Sequence, residues 1–159
     1  MAEIIVIAAV AENNVIGNKG DIPWRISEDF QRFKQITLGH PCVMGDKTYE
    51  SLPVRPLPDR ENIVLSLDPE FKAEGTTVFN DWKLALDSLK DKEKIFICGG
   101  ASIYKLLMHV ADSLEITRVN QTPEGDTFFP EVNWGEWDMV NEEKHEGYSF
   151  QTYKRKTKQ

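Results

Sequence analysis

Cysteine, histidine and excess positive charge are all scarce in this chain, and each scarcity closes off a class of function. There are two cysteines and three histidines in 159 residues. Cys42 and Cys98 lack CxxC spacing and fall in strand-like apolar runs, so buried free thiols are expected rather than a disulfide or a metal site. His40, His109 and His145 lie far apart without ligand spacing, and no metal is expected. Lysine and arginine total 19 against 26 acids, for a formal net charge of −7. That balance argues against nucleic acid as the main partner, because phosphate binding rests on clustered cations. The one basic cluster, Lys154-Arg155-Lys156-Thr157-Lys158, reads as a frayed, solvated terminus. Long apolar runs are also missing. The longest, Ile4 to Ala11, is far short of the ~20 residues that a spanning helix needs and has no basic flank of a signal peptide. With a mean hydropathy of −0.44, a cytoplasmic protein without a membrane partner is expected.

What is present suits one compact domain with a core: hydrophobic residues make up 40% of the chain. Glu3 to Val10 is apolar on both faces, as in a central strand of a sheet covered on both sides. Further strands are expected at Cys42–Met44, Asn62–Ser66, Thr76–Phe79, Ile95–Cys98 and Leu114–Val119. Helices are expected from Ser27 to about Thr37, from near Lys47-Thr48, over Trp82–Leu89 with Asn80 or Asp81 as cap, and over Ser102–Val110. Asn13 to Gly20 reads as loop, and the prolines between Leu52 and Asp59 make that segment irregular. Glu136–Glu143 and Tyr148–Arg155 flank Glu146-Gly147 as a hairpin. Strands alternating with helices imply parallel crossovers, and the hairpin adds an antiparallel edge. There is no repeat, linker or low-complexity stretch. Residues 40–90 could form a lobe of their own.

Three places invite chemistry. Around Ser27, helical spacing puts Ile26, Asp29, Phe30, Phe33 and Ile36 on one face, a carboxylate in an apolar stripe. The macrodipole alone would favour an acid in a first turn, and Glu28 does the same. The preceding loop, with Gly17, Gly20, Pro23 and then Trp24, instead suggests the cover of a small-molecule site. The other two places follow strand ends: Gly99-Gly100 and Gly45-Asp46-Lys47-Thr48, each leading into a helix. Ligands bind beyond the carboxyl ends of strands in open α/β sheets, and bare glycine backbone lets a pyrophosphate approach. The Gly99-Gly100 spacing is not the GxGxxG fingerprint, and a plain tight turn explains it equally well. Two such turns together suit a long, two-phosphate ligand.

Joined to these, the runs Asp21-Ile22-Pro23-Trp24, Lys47-Thr48-Tyr49-Glu50-Ser51, Arg55-Pro56-Leu57-Pro58-Asp59-Arg60, Gly99 to Tyr104 and Glu124 to Pro130 make almost the whole chain resemble the dihydrofolate reductases. The resemblance implies a monomeric single-domain fold over 1–159: an eight-stranded, mostly parallel sheet, an antiparallel C-terminal edge, four helices, and an adenosine-binding subdomain at about 40–90. It implies hydride transfer from NADPH to C6 of dihydrofolate, with a proton to N5, and binding of antifolate inhibitors. Asp29 matches the active-site acid, and Ile22 and Trp24 the groups near the incoming proton. Thr117 matches the hydroxyl that steadies the acid, although a β-branched residue is also ordinary in a strand. Ile7, Ala8, Phe30, Cys98 (through its carbonyl) and Tyr104 match the pterin pocket. Phe33, Leu52 and Leu57 match the wall around the aminobenzoyl ring, and Arg60 the clasp on the glutamate tail. Ala9, Ile16, Thr48, Gly99, Gly100 and Tyr104 match positions lining the nicotinamide and pyrophosphate. Gly17, Asn18, Gly45, Asp46, Lys47, Leu65, Ser66 and Leu67, with Cys98, Ala101, Ser102 and Ile103, match the rest of the cofactor site. A cis bond at Gly99–Gly100 is implied, as is a lid over 13–24 supported by Gly125-Asp126.

The chain departs from the family where the adenosine 2′-phosphate is usually held by an arginine after the Met-Gly pair. Asp46 stands there, with Leu67-Asp68 and Ser102 at neighbouring places, so reduced discrimination against NADH is expected unless Lys47 and backbone amides carry the phosphate. An extra residue within Leu52-Pro53-Val54-Arg55 lengthens the substrate-side loop and leaves the match of Leu52 less secure. Two rivals stand beside this reading. A pyrimidine reductase on the same fold would have no tail for Arg60 to hold, and a regulatory nucleotide-binding module would bind without turnover.

Overall fold

A computed structural model describes residues 2–156. The strands are β1 (Glu3–Ala11), β2 (Val15–Gly17), β3 (Cys42–Gly45), β4 (Asn62–Leu65), β5 (Thr76–Phe79), β6 (Lys94–Ile97), β7 (Ser113–Val119), β8 (Thr127–Phe128), β9 (Trp137–His145) and β10 (Tyr148–Arg155). The α-helices are α1 (Ser27–Thr37), α2 (Asp46–Ser51), α3 (Trp82–Ser88) and α4 (Ala101–Leu107). Eight strands form the main sheet in the order β5-β4-β3-β6-β1-β7-β10-β9. Its first six are parallel, β10 runs antiparallel to β7, and β9 runs antiparallel to β10 at the edge.

Because successive strand residues face opposite sides, β1 feeds two cores. Val6, Ala8 and Val10 pack with Ala85 and Leu89 under α3, and with Ile103 and Leu107 of α4. Ile5 and Ile7 pack on the other face with Met44, Val64 and Phe96, against Phe33 and Ile36 of α1 and Tyr49 of α2. Each such side chain that is fully buried contributes ~1.5–3 kcal/mol of transfer free energy. The parallel centre thus holds every βα turn at one end of the sheet, where the glycine turns and the start of α1 meet.

Several expectations change in detail. Ser27 does not cap α1: Ile26 is the N-cap residue, Ser27 is already helical, and its hydroxyl donates to Glu28 Oε2 at 3.3 Å. Asp81 does cap α3, accepting from Lys83 N at 2.9 Å. The fourth helix ends at Leu107 and continues as a 3-10 turn, Met108–Val110. The segment read as loop at 13–20 contains β2, which pairs with β8 in a second, two-stranded sheet. The basic tail is not frayed over 154–155: Lys154 Nζ reaches Glu3 Oε2 at 2.6 Å and Arg155 Nε reaches the Ala111 carbonyl at 2.9 Å. Thr157 and Lys158 lie outside the described residues. No helix among the described residues is long and apolar enough to cross a membrane.

Candidate active site

A cleft of about 700 Å³ opens at the carboxyl ends of the central strands. One wall comes from the segment after β1, through Ile16, Gly17, Gly20, Asp21, Ile22 and Trp24. The other comes from Gly45, Asp46, Lys47, Thr48 and Ser51, with Gly100, Ala101 and Ser102. Ala9, Cys98, Tyr104 and Thr127 close it.

The glycine pair shapes the floor. Gly99 has φ +103°, and a Cβ there would sit 3.0 Å from the Tyr104 ring, so a side chain has neither the conformation nor the room. The Gly99–Gly100 peptide is cis, as the resemblance implies. Tyr104 is held in turn by donating its hydroxyl to the Ile7 carbonyl at 2.7 Å, and burial pushes its pKa well up. A Cβ on Gly100 would meet Thr48 Oγ1 at 3.1 Å, which brings the two predicted phosphate-facing turns into contact.

The loop before α1 is a built structure. Asn18 and Asp21 exchange backbone hydrogen bonds of 2.8 and 3.0 Å around Lys19 and Gly20, both at positive φ. Asp126 grips this turn from the far strand segment. Its amide donates to the Gly17 carbonyl at 3.2 Å, and its Oδ2 accepts from Lys19 N at 3.0 Å. The bonds from Thr127 Oγ1 and from that amide hold the Asp126 carboxyl below its ordinary pKa. Trp24 anchors the other end by packing with Ala11, Val15 and Val119.

Asp29 lies beside this cleft, between α1 and β7. Thr117 Oγ1 donates to its Oδ1 at 2.5 Å. Burial raises the Asp29 pKa, while the Thr117 bond and the Arg32 charge pull it back down, with burial the larger effect. A carboxyl so placed remains available as a proton carrier or as a paired acceptor. Further along α1, Phe33 and Ile36 pack with Leu52 and Leu57 against the lower core. The Arg60 guanidinium lies 5.9 Å from the Phe33 ring centre. Its Nε donates to the Pro58 carbonyl at 2.8 Å and its Nη1 to Thr37 Oγ1 at 3.2 Å.

A model of the dihydrofolate reductase family matches residues 3–157. The chain belongs to the dihydrofolate reductase family. It is thus an NADP-dependent oxidoreductase that reduces dihydrofolate. It is 47% identical to the dihydrofolate reductase of Neisseria gonorrhoeae over 137 residues, 86% of this chain and 85% of that one. It is 41% identical to the dihydrofolate reductase of Bacillus subtilis over 138 residues, 87% and 82% of the two chains. Among solved structures it resembles the dihydrofolate reductase from Enterococcus faecalis complexed with NADP(H) and RAB-propyl, at a TM-score of 0.90 and 34% identity, covering 98% of this chain and 97% of that one.

Against the dihydrofolate reductase expectation, most predicted cofactor residues share the cleft wall, but six stand off it. Leu65 and Ile103 are core residues, and Ile103 supports Gly45 from behind. Gly99 is set back under Tyr104, and Asn18 turns into its own hairpin. Ser66 is buried and donates to Asp46 Oδ2 at 2.7 Å, while Leu67 is 90% exposed. Ala8 faces the α3 and α4 core, on the opposite side of the sheet from Ile7. Cys98 follows β6 rather than ending it, and is half-buried beside Cys42. The Cys42 thiol and burial together push the Cys98 pKa well up, while the hydrogen bond with Cys98 lowers that of the buried Cys42. Gly20, Asp21, Ser51 and Thr127 line the cleft without having been singled out as ligand contacts. Asp21, Ser51 and Thr127 belong to the runs that carry the family resemblance, and Gly20 to the loop read as the cover of a small-molecule site. Among the described residues no cluster of His, Cys, Asp or Glu could hold a metal.

Proposed function

We propose that in this dihydrofolate reductase Asp29 fixes the pterin and governs its protonation, with the cofactor in the adjoining cleft. The observation that carries this reading is the half-buried Asp29 carboxyl, tethered by Thr117 between α1 and β7. A carboxylate accepts two parallel hydrogen bonds, which suits the pterin 2-amino group and N3. Ile22 and Trp24 stand on the cleft wall where a water can bring the N5 proton. Phe33, Leu52 and Leu57 offer an apolar wall for the aminobenzoyl ring, with Ile7, Phe30, Tyr104 and the Cys98 carbonyl around the pterin. Arg60, stacked near Phe33, offers a planar cationic fork for the tail's α-carboxylate. Antifolates compete for the same pocket.

The residues present fit a nicotinamide dinucleotide. The cleft volume lies in the range of cofactor sites, glycine backbone lines its floor, and the Thr48 hydroxyl and Lys47 ammonium suit phosphate oxygens. When bound, the reduced nicotinamide supplies hydride to pterin C6. Ala9, Ile16 and Tyr104 then exclude water from the reacting face, and the 13–24 loop, gripped by Asp126, covers it as a lid.

Residues 40–90 hold the adenosine end, with Asp46 as the local departure. Asp46 is half-buried rather than turned to bulk water: Oδ2 accepts from Ser66 and Oδ1 from Lys47 N at 2.7 Å. On the described cleft wall Lys47 is the one cation, against carboxylates at Asp21 and Asp46. An acid in this neighbourhood suits a ribose 2′-hydroxyl better than a 2′-phosphate, which supports a weakened preference for NADPH over NADH. A cytoplasmic monomer is the setting that the acidic charge and short apolar runs favour.

The deciding experiment is initial-rate dihydrofolate reduction followed by loss of reduced-nicotinamide absorbance. Turnover in wild type that collapses in Asp29→Asn, with dihydrofolate still bound, supports the reading. Binding of dihydrofolate without turnover in wild type would replace it with the regulatory-module alternative.

A further inference from the structure

Helix α1 is tied to β7 by two parallel rungs, and the mechanism above uses one of them. The first joins Asp29 to Thr117; the second joins Arg32 to Glu115, with Nη2 and Oε2 2.6 Å apart. The spacing makes the ladder: Asp29 and Arg32 are one helical turn apart on one face, and Glu115 and Thr117 are two residues apart on one face of the strand. The outer strand β10 backs both rungs. Phe150 is the register partner of Thr117 and Thr152 that of Glu115. Thr152 Oγ1 donates to the same Glu115 Oε2 at 3.0 Å, and the Arg32 guanidinium carbon lies 4.6 Å from the Phe150 ring centre.

This pair differs from the chain's surface ion pairs. The Arg32 and Glu115 side chains are 21% and 17% exposed, where the Arg25–Asp21 pair is 68% and 70% exposed. Exposed pairs are screened and interchange with water, whereas a half-buried pair with a stacked guanidinium and a third hydrogen bond keeps one geometry. It also places a cation one turn from Asp29 and an acid that neutralises it from the far side.

We propose that the Arg32–Glu115 pair is a positioning device for Asp29, holding the carboxyl at its place along β7 and setting the charge that the carboxyl experiences. Glu115 engages Arg32, so that the guanidinium stays on its own rung and does not swing onto Asp29. Arg32 in turn shields Asp29 from Glu115. The other titratable groups around Asp29 are the hydroxyls of Tyr104 from α4 and Tyr148 from β10, and neither carries charge at neutral pH. Glu28 and Glu143 stand around Tyr148 on the outer side. The pair is therefore the balance point: each partner, removed alone, shifts Asp29 in an opposite direction.

The inference rests on Asp29 as the active-site acid, and the test separates the two. The pH dependence of turnover is recorded from about pH 5 to about pH 9 for wild type, Glu115→Gln and Arg32→Met. The Asp29 carboxyl is titrated in parallel by 13C NMR in the protein without ligands. Glu115→Gln releases the guanidinium toward Asp29 and should lower both midpoints by about 1 unit; Arg32→Met leaves two facing acids and should raise them by about 1 unit. Should Arg32→Met fail to fold, Glu115→Gln and Thr152→Val carry the test, both expected to move the midpoints down. A wild type without turnover defeats the assignment of Asp29. An active wild type whose midpoints coincide with those of the variants, a shift of Glu115→Gln and Arg32→Met in one common direction, or an upward shift in Glu115→Gln or Thr152→Val overturns the positioning role.

Discussion

Thr117 Oγ1 donates to Asp29 Oδ1 at 2.5 Å, joining a helix to a strand that lies 88 residues further along the chain. The bond favours the ionised carboxyl, yet burial outweighs it and the Asp29 pKa is raised. The folded protein therefore binds this proton more tightly than the unfolded chain does. Stability from this group is fully present below the unfolded-state value and declines as pH rises through the folded-state value. Asp29→Asn cannot ionise. Its turnover should fall by about 10²–10⁴-fold, while its Tm exceeds that of wild type near neutral pH and the difference closes in acid. Thermal unfolding at both pH values checks this, and a Tm difference independent of pH would contradict it.

Arg60 makes its protein contacts through Nε and Nη1. A lysine keeps the charge but has no fork for two parallel bonds to a carboxylate. Arg60→Lys should raise KM for dihydrofolate by about tenfold with kcat little changed. A pterin substrate without the glutamate tail should be used equally by both enzymes; a penalty that persists on that substrate would show that Arg60 acts elsewhere.

Asp46 accepts from Ser66 Oγ at 2.7 Å and so stays on the cleft wall. Wild type is expected to show kcat/KM values for NADPH and NADH within about tenfold of each other, and Asp46→Arg to shift the ratio toward NADPH by about tenfold or more, the size of one charge-assisted contact. Titrations of both cofactors by Trp24 fluorescence supply the binding half of the measurement. A wild type that already rejects NADH strongly would place the 2′-phosphate clear of Asp46.

Gly125 fits against the 13–24 loop with no room to spare. A Cβ there would lie 2.3 Å from Val15 Cγ1 and 2.8 Å from the Gly17 carbonyl oxygen. The carbonyl belongs to β2, so the 13–24 loop must move to accommodate it. Gly125→Ala should cost ~1–3 kcal/mol of stability and slow turnover, because Asp126 would lose its register on Gly17 and Lys19. Urea unfolding and kcat test this, with Gly135→Ala as a comparison in which a Cβ meets only a side-chain oxygen at 3.2 Å. Equal stability losses in the two variants would rule out the contact with Val15 and Gly17 as the cause.

Much of the fold was legible because its central strands are apolar runs and three of its four α-helices follow a glycine or an acid at the cap. What escaped was what depends on distant partners. Strands β2 and β8 have three and two residues and form only because each supplies the other's backbone bonds. Lys154 looked like part of a solvated tail until the fold brought Glu3 to its side. Ser27 had the right residue type for a cap, but the chain enters helical geometry one residue earlier. Asp29 was legible as an acid in an apolar stripe; Arg32, on the same helix, was not, because its partner is 83 residues away.

By itself the amino-acid sequence determined the order of strands and helices, the glycine turns and the single acid on the face of α1. These follow from local periodicity and from residues that only certain backbone conformations admit. The tertiary structure alone decided what that acid experiences. The Asp29 pKa is set by how much water the packed walls exclude, by the Thr117 hydroxyl that β7 brings to it, and by the Arg32 charge one turn along α1. Solvation and electrostatics act through space, so no spacing along the chain could have specified them.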